Sequence, residues 1–211
     1  MDYIKTRNDL LGTTLVENFN KRFFESYYCS TKEEAKNKAL SLIKEGSSVS
    51  WGGSMSIIEC GLLDEIKGGN YKVIDRDSAK DLNERQDLMR QAFSADTFLM
   101  SANAVSQQGE LVNIDGLGNR IAALCYGPEQ VIVIAGLNKV APDLDSAIKR
   151  ARNVASPINT QRFNLDTPCT EKGACYDCKN PDCICAQMVI TRISRPKNRI
   201  KIIFCGENLG F

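Results

Sequence analysis

The sequence contains no histidine. Any general acid or base must therefore be a carboxylate, a lysine, a tyrosine or a cysteine. Ser-His and Cys-His nucleophilic sites are excluded, and a metal would have to be held by thiolate or oxygen ligands. An excess of charge of one sign is missing as well: 27 Lys and Arg face 26 Asp and Glu, a net charge of +1. The basic residues are dispersed and are not interleaved with aromatics, which argues against a nucleic-acid partner. The longest apolar run, residues 131–137, is far too short to span a bilayer. The first residues, Met-Asp-Tyr-Ile-Lys-Thr-Arg, lack the apolar core of a signal peptide. Together these absences predict a cytoplasmic protein with no membrane and no nucleic-acid partner. No internal repeat and no low-complexity tract is present.

What is there is organised around residues 97–136. Two short apolar runs, 97–100 and 131–134, read as strands buried on both faces, the pattern of a parallel sheet. Between them Gln107-Gln108-Gly109 predicts a hairpin turn, and Gly116 and Gly118 break the second hairpin strand. Asn119 is placed to cap a short helix over 120–124. Asn103, Asn113, Asp115, Asn119 and Arg120 thereby fall in loops just past the carboxyl end of a core strand, where open α/β sheets bind ligands.

Along the rest of the chain, residues 6–24 carry apolar residues at amphipathic spacing and predict a helix packed on the main domain. Residues 27–29 read as an extended link. Thr31 and Glu34 form a capping-box pattern before a helix that Gly46 ends. A strand over 47–51 leads through Gly52-Gly53-Ser54 into a helix predicted over 55–66. Strand, glycine turn and helix start together suit an anion held by backbone N–H groups, although Ser54 also serves as an ordinary N-cap. Glu59, one turn into that helix, is a candidate catalytic carboxylate. A strand over 71–74 and a helix over 81–94, with Leu82 facing inward, complete a βαβαβ alternation and predict a doubly wound sheet. Lys139 follows the 131–136 strand and would point its ammonium at the same crevice. A helix over 143–155 is expected to end at Ser156-Pro157, with Arg150 and Arg152 on its solvated face. Residues 158–166 read as a linker, and 188–193 and 200–205 as two closing strands around a basic turn.

Several of these stretches resemble the LUD family, the lactate-utilisation domain. They are Ser-Ala-Asn-Ala-Val-Ser at 101–106, Leu-Val-Asn-Ile-Asp-Gly-Leu-Gly-Asn-Arg at 111–120 and Val-Ile-Val-Ile-Ala-Gly-Leu-Asn-Lys at 131–139. Trp51-Gly-Gly-Ser-Met, Pro168-Cys169 and the final Gly206-Glu-Asn-Leu-Gly-Phe211 belong to the same resemblance. It covers most of the chain in order. The family is similar in fold to the sugar-phosphate isomerase and CoA-transferase superfamily. The resemblance implies an α/β three-layer sandwich over 1–211, with a mostly parallel central sheet and a small inserted β-hairpin. An N-terminal helical extension (1–30) and a Cys-rich segment (164–186) complete that expectation. It also implies metabolism of lactate or a related small hydroxy acid. A carboxylate or phosphate ligand would lie on Gly52, Gly53 and Ser54, with Asn103, Asn113 and Asn119 binding it. Glu59, Asp115 and Lys139 are the candidate catalytic groups.

Nine cysteines remain to be explained. Cys29, Cys60, Cys125 and Cys205 are scattered and read as small buried hydrophobes. Cys169, Cys175, Cys178, Cys183 and Cys185 crowd one Gly-, Pro- and Asp-rich segment, a density that suits tetrahedral zinc or an iron–sulfur cluster. A redox dithiol or disulfides are the competing readings. The resemblance selects Cys169, Cys175, Cys178 and Cys185 as the metal ligands, leaving Cys183 spare or interchangeable with Cys185. The expected partners are a small anionic metabolite and either iron–sulfur partner subunits or further copies of the chain. An accessory, electron-relay subunit is the alternative to an enzyme.

Overall fold

The computed structural model describes residues 2–163 and 165–211; residue 164, the start of the expected Cys-rich segment, lies outside them. Among the described residues ten strands form two sheets. The central sheet is all-parallel, with β1 (Glu25–Cys29), β2 (Ser48–Trp51), β3 (Lys72–Ile74), β4 (Thr97–Met100), β7 (Gln130–Gly136) and β10 (Ile200–Cys205) in the order β1-β10-β7-β4-β2-β3. The second sheet orders β8 (Val140–Ala141), β5 (Ala104–Ser106), β6 (Leu111–Asp115) and β9 (Gln187–Thr191) as β8-β5-β6-β9.

The alternation within β7 and β10 explains the layers. Val131, Val133, Ile202 and Phe204 face one side, against Leu15 and Phe19 of helix α1 (Tyr3–Asn20). Ile132, Ile134, Ile203 and Cys205 face the other, against Ala35 and Ala39 of α2 (Lys32–Ser41) and Ile57 of α3 (Met55–Glu59). Both faces are covered, as a parallel sheet requires. Phe19 meets Phe24 and Phe204 edge-on, with centroids 5.1 and 5.2 Å apart. A third apolar cluster seats Ala147 of α7 (Leu144–Arg150) on Ala104, Val112 and Ile114 of the second sheet.

Several expectations are corrected. The extended link at 27–29 is part of an edge strand, β1, paired in parallel with β10. The helix expected over 55–66 breaks at Gly61 (φ 74°), a left-handed turn suited to glycine, and resumes as α4 (Leu62–Gly68). Leu82, at the start of α5 (Leu82–Gln91), points outward and is 77% exposed. The inserted hairpin is half of a four-stranded sheet: β5 and β6 pair antiparallel, and β9 joins β6 rather than β10. Pro157 does not end the helical run; after a π-helical turn over Ala151–Ala155 it sits in the first turn of α8 (Ser156–Thr160). Cys125, ending α6 (Asn119–Cys125), is exposed, whereas Cys29, Cys60 and Cys205 are buried. Among the described residues no helix is long and apolar enough to cross a membrane.

This order creates one switch point. The chain leaves β2 towards β3 on one side, and leaves β4 towards β7 on the other. The carboxyl ends of β2 and β4 therefore part between two diverging connections, the position at which doubly wound sheets open a ligand crevice.

Candidate functional site

A cleft of about 660 Å³ lies there. Its walls come from the Gly52-Gly53-Ser54 turn after β2, the Arg76–Ser78 turn after β3, the Ser101–Asn103 loop after β4 and Lys139 after β7. The far wall is Cys183, Ile184 and Ala186, from the Cys-rich segment.

Arg120 organises the floor. Its side chain is 13% exposed. One terminal nitrogen donates to Asn113 Oδ1 (2.8 Å) and Ser101 O (2.9 Å), the other to Asn103 Oδ1 (2.9 Å) and Ile114 O (2.6 Å). Asn103 and Asn113 thus act on Arg120; Asn113 is fully buried, and its Nδ2 has no partner. Asp115 Oδ2 accepts from the backbone N–H groups of Arg120 (3.2 Å) and Ile121 (3.3 Å), placing a carboxylate at the start of α6, and lies 3.7 Å from Arg120 Nε. The cap residue of α6 is Gly118 (φ 83°), so Asn119 is its first helical residue and lines the cleft beside Asp115.

Arg76 is the residue that sequence reasoning missed. Set between Asp75 and Asp77 it looks like an ordinary polar turn. Yet its side chain is 15% exposed, its Nε has no hydrogen-bond partner, and Asp77 stands 3.8 Å away. Burial lowers its pKa, with Asp77 opposing. The two glycines admit these arginines. A Cβ on Gly52 would stand 2.8 Å from Arg120 Cδ, and one on Gly53 2.8 Å from a terminal nitrogen of Arg76. Close approach, rather than a positive φ, is what glycine supplies here. Ser54 lines the cleft with a buried, unpartnered Oγ and makes no side-chain cap bond to α3.

Lys139 is 4% exposed. Its Nζ donates to Ser56 Oγ (2.9 Å), Ser101 Oγ (3.0 Å) and Ala102 O (3.3 Å). Burial first, then the nearby Arg150 and Arg120 charges, push its pKa down to about 7. Arg150, expected on a solvated face, instead donates to Asn138 O (3.1 Å) and Asn103 O (2.6 Å), clamping two cleft loops together. Glu59 is exposed and accepts from Gly210 N–H (2.7 Å); the structure does not bring it to the cleft wall with Asp115.

The five segment cysteines share a second, smaller cavity of about 180 Å³. Burial, then the neighbouring Cys183 and Cys175 thiols, push Cys185 up to about 11, while a Ser156 hydrogen bond opposes the shift. Among the described residues no group of three or more cysteine, aspartate or glutamate side chains is yet drawn together to hold a metal. The donor set nevertheless fits a thiophilic metal, because five thiols face one space and a bound cation favours thiolate ligands.

The family model of the LUD domain matches residues 13–205. The chain belongs to the LUD domain family. A DUF162 family protein from Deinococcus radiodurans has a similar fold at 10% identity, with 95% of this chain and 98% of that one covered and a TM-score of 0.52. Translation initiation factor subunits overlap more loosely. The eIF2B delta subunit of Chaetomium thermophilum covers 68% of this chain and 57% of its own at 16% identity and TM-score 0.36. The eIF2B beta subunit of the same organism covers 55% and 44% at 19% and 0.40. No curated protein matches the chain. In this LUD domain, five of the quoted motifs converge on the switch-point cleft: those beginning at Trp51, Ser101, Leu111 and Val131, and the one ending at Phe211.

Proposed function

We propose that the cleft binds a small organic anion, a carboxylate or phosphate, within the LUD-type metabolism of lactate or a related hydroxy acid. One observation carries this reading: Arg76 and Arg120 are largely buried side by side with the Gly-Gly turn, and Arg76 Nε has no hydrogen-bond partner, its neighbouring carboxylate being the half-exposed Asp77 at 3.8 Å. A desolvated guanidinium needs an acceptor, and its fork matches a carboxylate or phosphate. Basic side chains on the cleft wall outnumber acidic ones, with Arg76, Arg85, Arg120, Lys139 and Arg162 against Asp77, Asp115 and Asp182. Ser54 Oγ, Asn119 and the Gly53 and Ser54 N–H groups would orient the ligand. Asp115 or Lys139 would carry the proton, with Glu59 acting at a distance through the Gly210 segment.

Calorimetry with lactate, pyruvate and phosphate tests this. Wild-type protein should bind at least one of them, and Arg76→Ala should lose that binding while remaining folded. No heat and no melting shift with any of the three would end the reading.

The shared thiol cavity favours a second role beside the first. Cys169, Cys175 and Cys178, with Cys185 or Cys183, would hold zinc or an iron–sulfur cluster. Zinc would fasten the segment; a cluster would make the protein an electron-relay subunit. The visible spectrum and metal content of anaerobically purified protein separate the two metals.

A further inference from the structure

Lys139 is an unusual side chain for an anion cleft. Among the described residues the hydrogen-bond partners of its Nζ are Ser56, Ser101 and Ala102, with no carboxylate among them. Its neighbours are two hydroxyls and a carbonyl, so the ammonium form is solvated by dipoles alone. The charged groups that face it come from three elements: Arg150 on α7 and Arg120 on α6 disfavour the ammonium, and Glu59 on α3 favours it. Burial dominates, and the amine titrates near pH 7 instead of above 10. Near pH 7 a substantial share of such amines is neutral and carries a lone pair, the condition for a nucleophilic lysine.

The hydroxyls suit that role. Ser56 Oγ also donates to Leu209 O (3.1 Å) and so faces Lys139 as an acceptor. Ser101 Oγ has only a long alternative, Ala102 O at 3.4 Å, and is free to turn its proton towards the amine or towards an oxygen formed beside it. One side of the amine is closed by the chain's last residues. A Cβ on Gly210 (φ 56°) would lie 2.8 Å from Ser56 Oγ and 3.3 Å from Lys139 Nζ. The other side is the cleft, where Arg120 stands.

We propose that Lys139 is an amine nucleophile whose Nζ, held by Ser56 and Ser101, condenses with the carbonyl carbon of a small 2-oxo acid bound by the cleft arginines. The proposal rests on the anion reading above and names its substrate class: a 2-oxo acid is the oxidised form of a 2-hydroxy acid. The Nζ lone pair forms the C–N bond, and the carbonyl π pair moves to oxygen, which takes a proton relayed by Ser101 from the nitrogen. Loss of that hydroxyl with a second proton releases one water and leaves an imine. No oxidant or reductant is consumed, and hydrolysis reverses the step.

The test is reductive trapping on the full chain. Protein is incubated with pyruvate or, separately, neutral acetone, reduced with cyanoborohydride, and its peptides are analysed by mass spectrometry. One adduct per chain, on Lys139, is expected with pyruvate. Acetone at equal concentration should give roughly tenfold less, since it is a methyl ketone like pyruvate but lacks the carboxylate that the arginines hold. Trapping should fall away as pH drops below about 7 and the amine is protonated. Lys139→Arg should lose the adduct, and the wild-type peptide map decides the question even if that variant fails to fold. A pyruvate-induced melting shift without an adduct overturns the nucleophile and leaves the anion site standing. Equal trapping of pyruvate and acetone on Lys139 keeps the nucleophile and removes the anion reading. Neither shift nor adduct removes both, and adducts spread over surface lysines overturn the proposal.

Discussion

The central sheet and the Cys-rich segment are held by opposite means. In β7 and β10 almost every side chain is fully buried, and both faces are sealed by helices. Beyond α9 (Pro168–Lys172) the chain runs to β9 without regular structure, and its residues are exposed or half-buried. What fastens it is polar: Asn180 donates to Asp166 O (2.7 Å), and Arg152 pairs with Asp177. The cleft lies between the two, with one wall from each. Its rigid wall comes free with the fold, whereas its thiol-bearing wall has too little burial to order itself against the backbone cost of about 1–2 kcal/mol per residue.

The largest expected effect attacks the buried side. Phe204→Ala empties a site packed edge-on against Phe19. It should cost about 3–5 kcal/mol in chemical denaturation. A cost below about 1 kcal/mol would mean that the sheet does not depend on this packing. The matching change on the other side is metal removal. Cys175→Ser, or chelation, should release the metal proposed for the thiol cavity and expose the segment to protease while the sheet unfolds at an unchanged denaturant midpoint. A metal-free chain whose segment resists protease would break the comparison.

Cleft binding sharpens it. Gly53→Leu drives a side chain into Arg76 and should abolish the ligand-induced melting shift without unfolding the protein. If the shift survives, Arg76 does not hold the anion.

How much of this could be read from the chain follows the same division. β2, β4, β7 and β10 were legible because runs such as Val-Ile-Val-Ile have one explanation, burial on both faces. β1 was not, because Glu25, Tyr27 and Tyr28 of an edge strand look like a polar link. The amides at 103 and 113 pointed to the loops around the cleft, where both meet Arg120. Their partner was hidden, since nothing in Asn-Arg at 119–120 says that the guanidinium turns back to meet them. Arg76 carried no local signal, because its burial is created by the cleft and not by its neighbours in sequence. Arg150 misled for the same reason: its acceptors are carbonyls of two distant loops.

The next effect is smaller and is confined to a pH window. Lys139 titrates near 7 in the folded chain and near 10.5 when unfolded. Between these values the unfolded state binds more protons, so stability rises with pH, and below about 7 the full penalty of a buried ammonium is present. The slope from this one group approaches about 1.4 kcal/mol per pH unit in mid-window. Lys139→Met should flatten the stability–pH curve between pH 7 and 10 and gain most over wild type at the acid end. Identical slopes in the two proteins would show that the amine keeps its ordinary pKa.

The smallest expected effect returns to the exposed wall. Asp177 is 85% exposed, and its partner Arg152 is 38% exposed. The pairing is therefore screened and partly offset by side-chain ordering, so Asp177→Ala should change global stability by less than about 1 kcal/mol. Its effect should instead be local. Asp177 lies between Cys175 and Cys178, and Arg152 and Asp177 both line the thiol cavity. Loss of the pair should thus speed hydrogen exchange in the segment of metal-free protein and leave metal-loaded protein unaltered, because thiolate coordination is far stronger than a surface ion pair. Exchange that quickens equally with and without metal would place the segment's order in the ion pair rather than in the thiols.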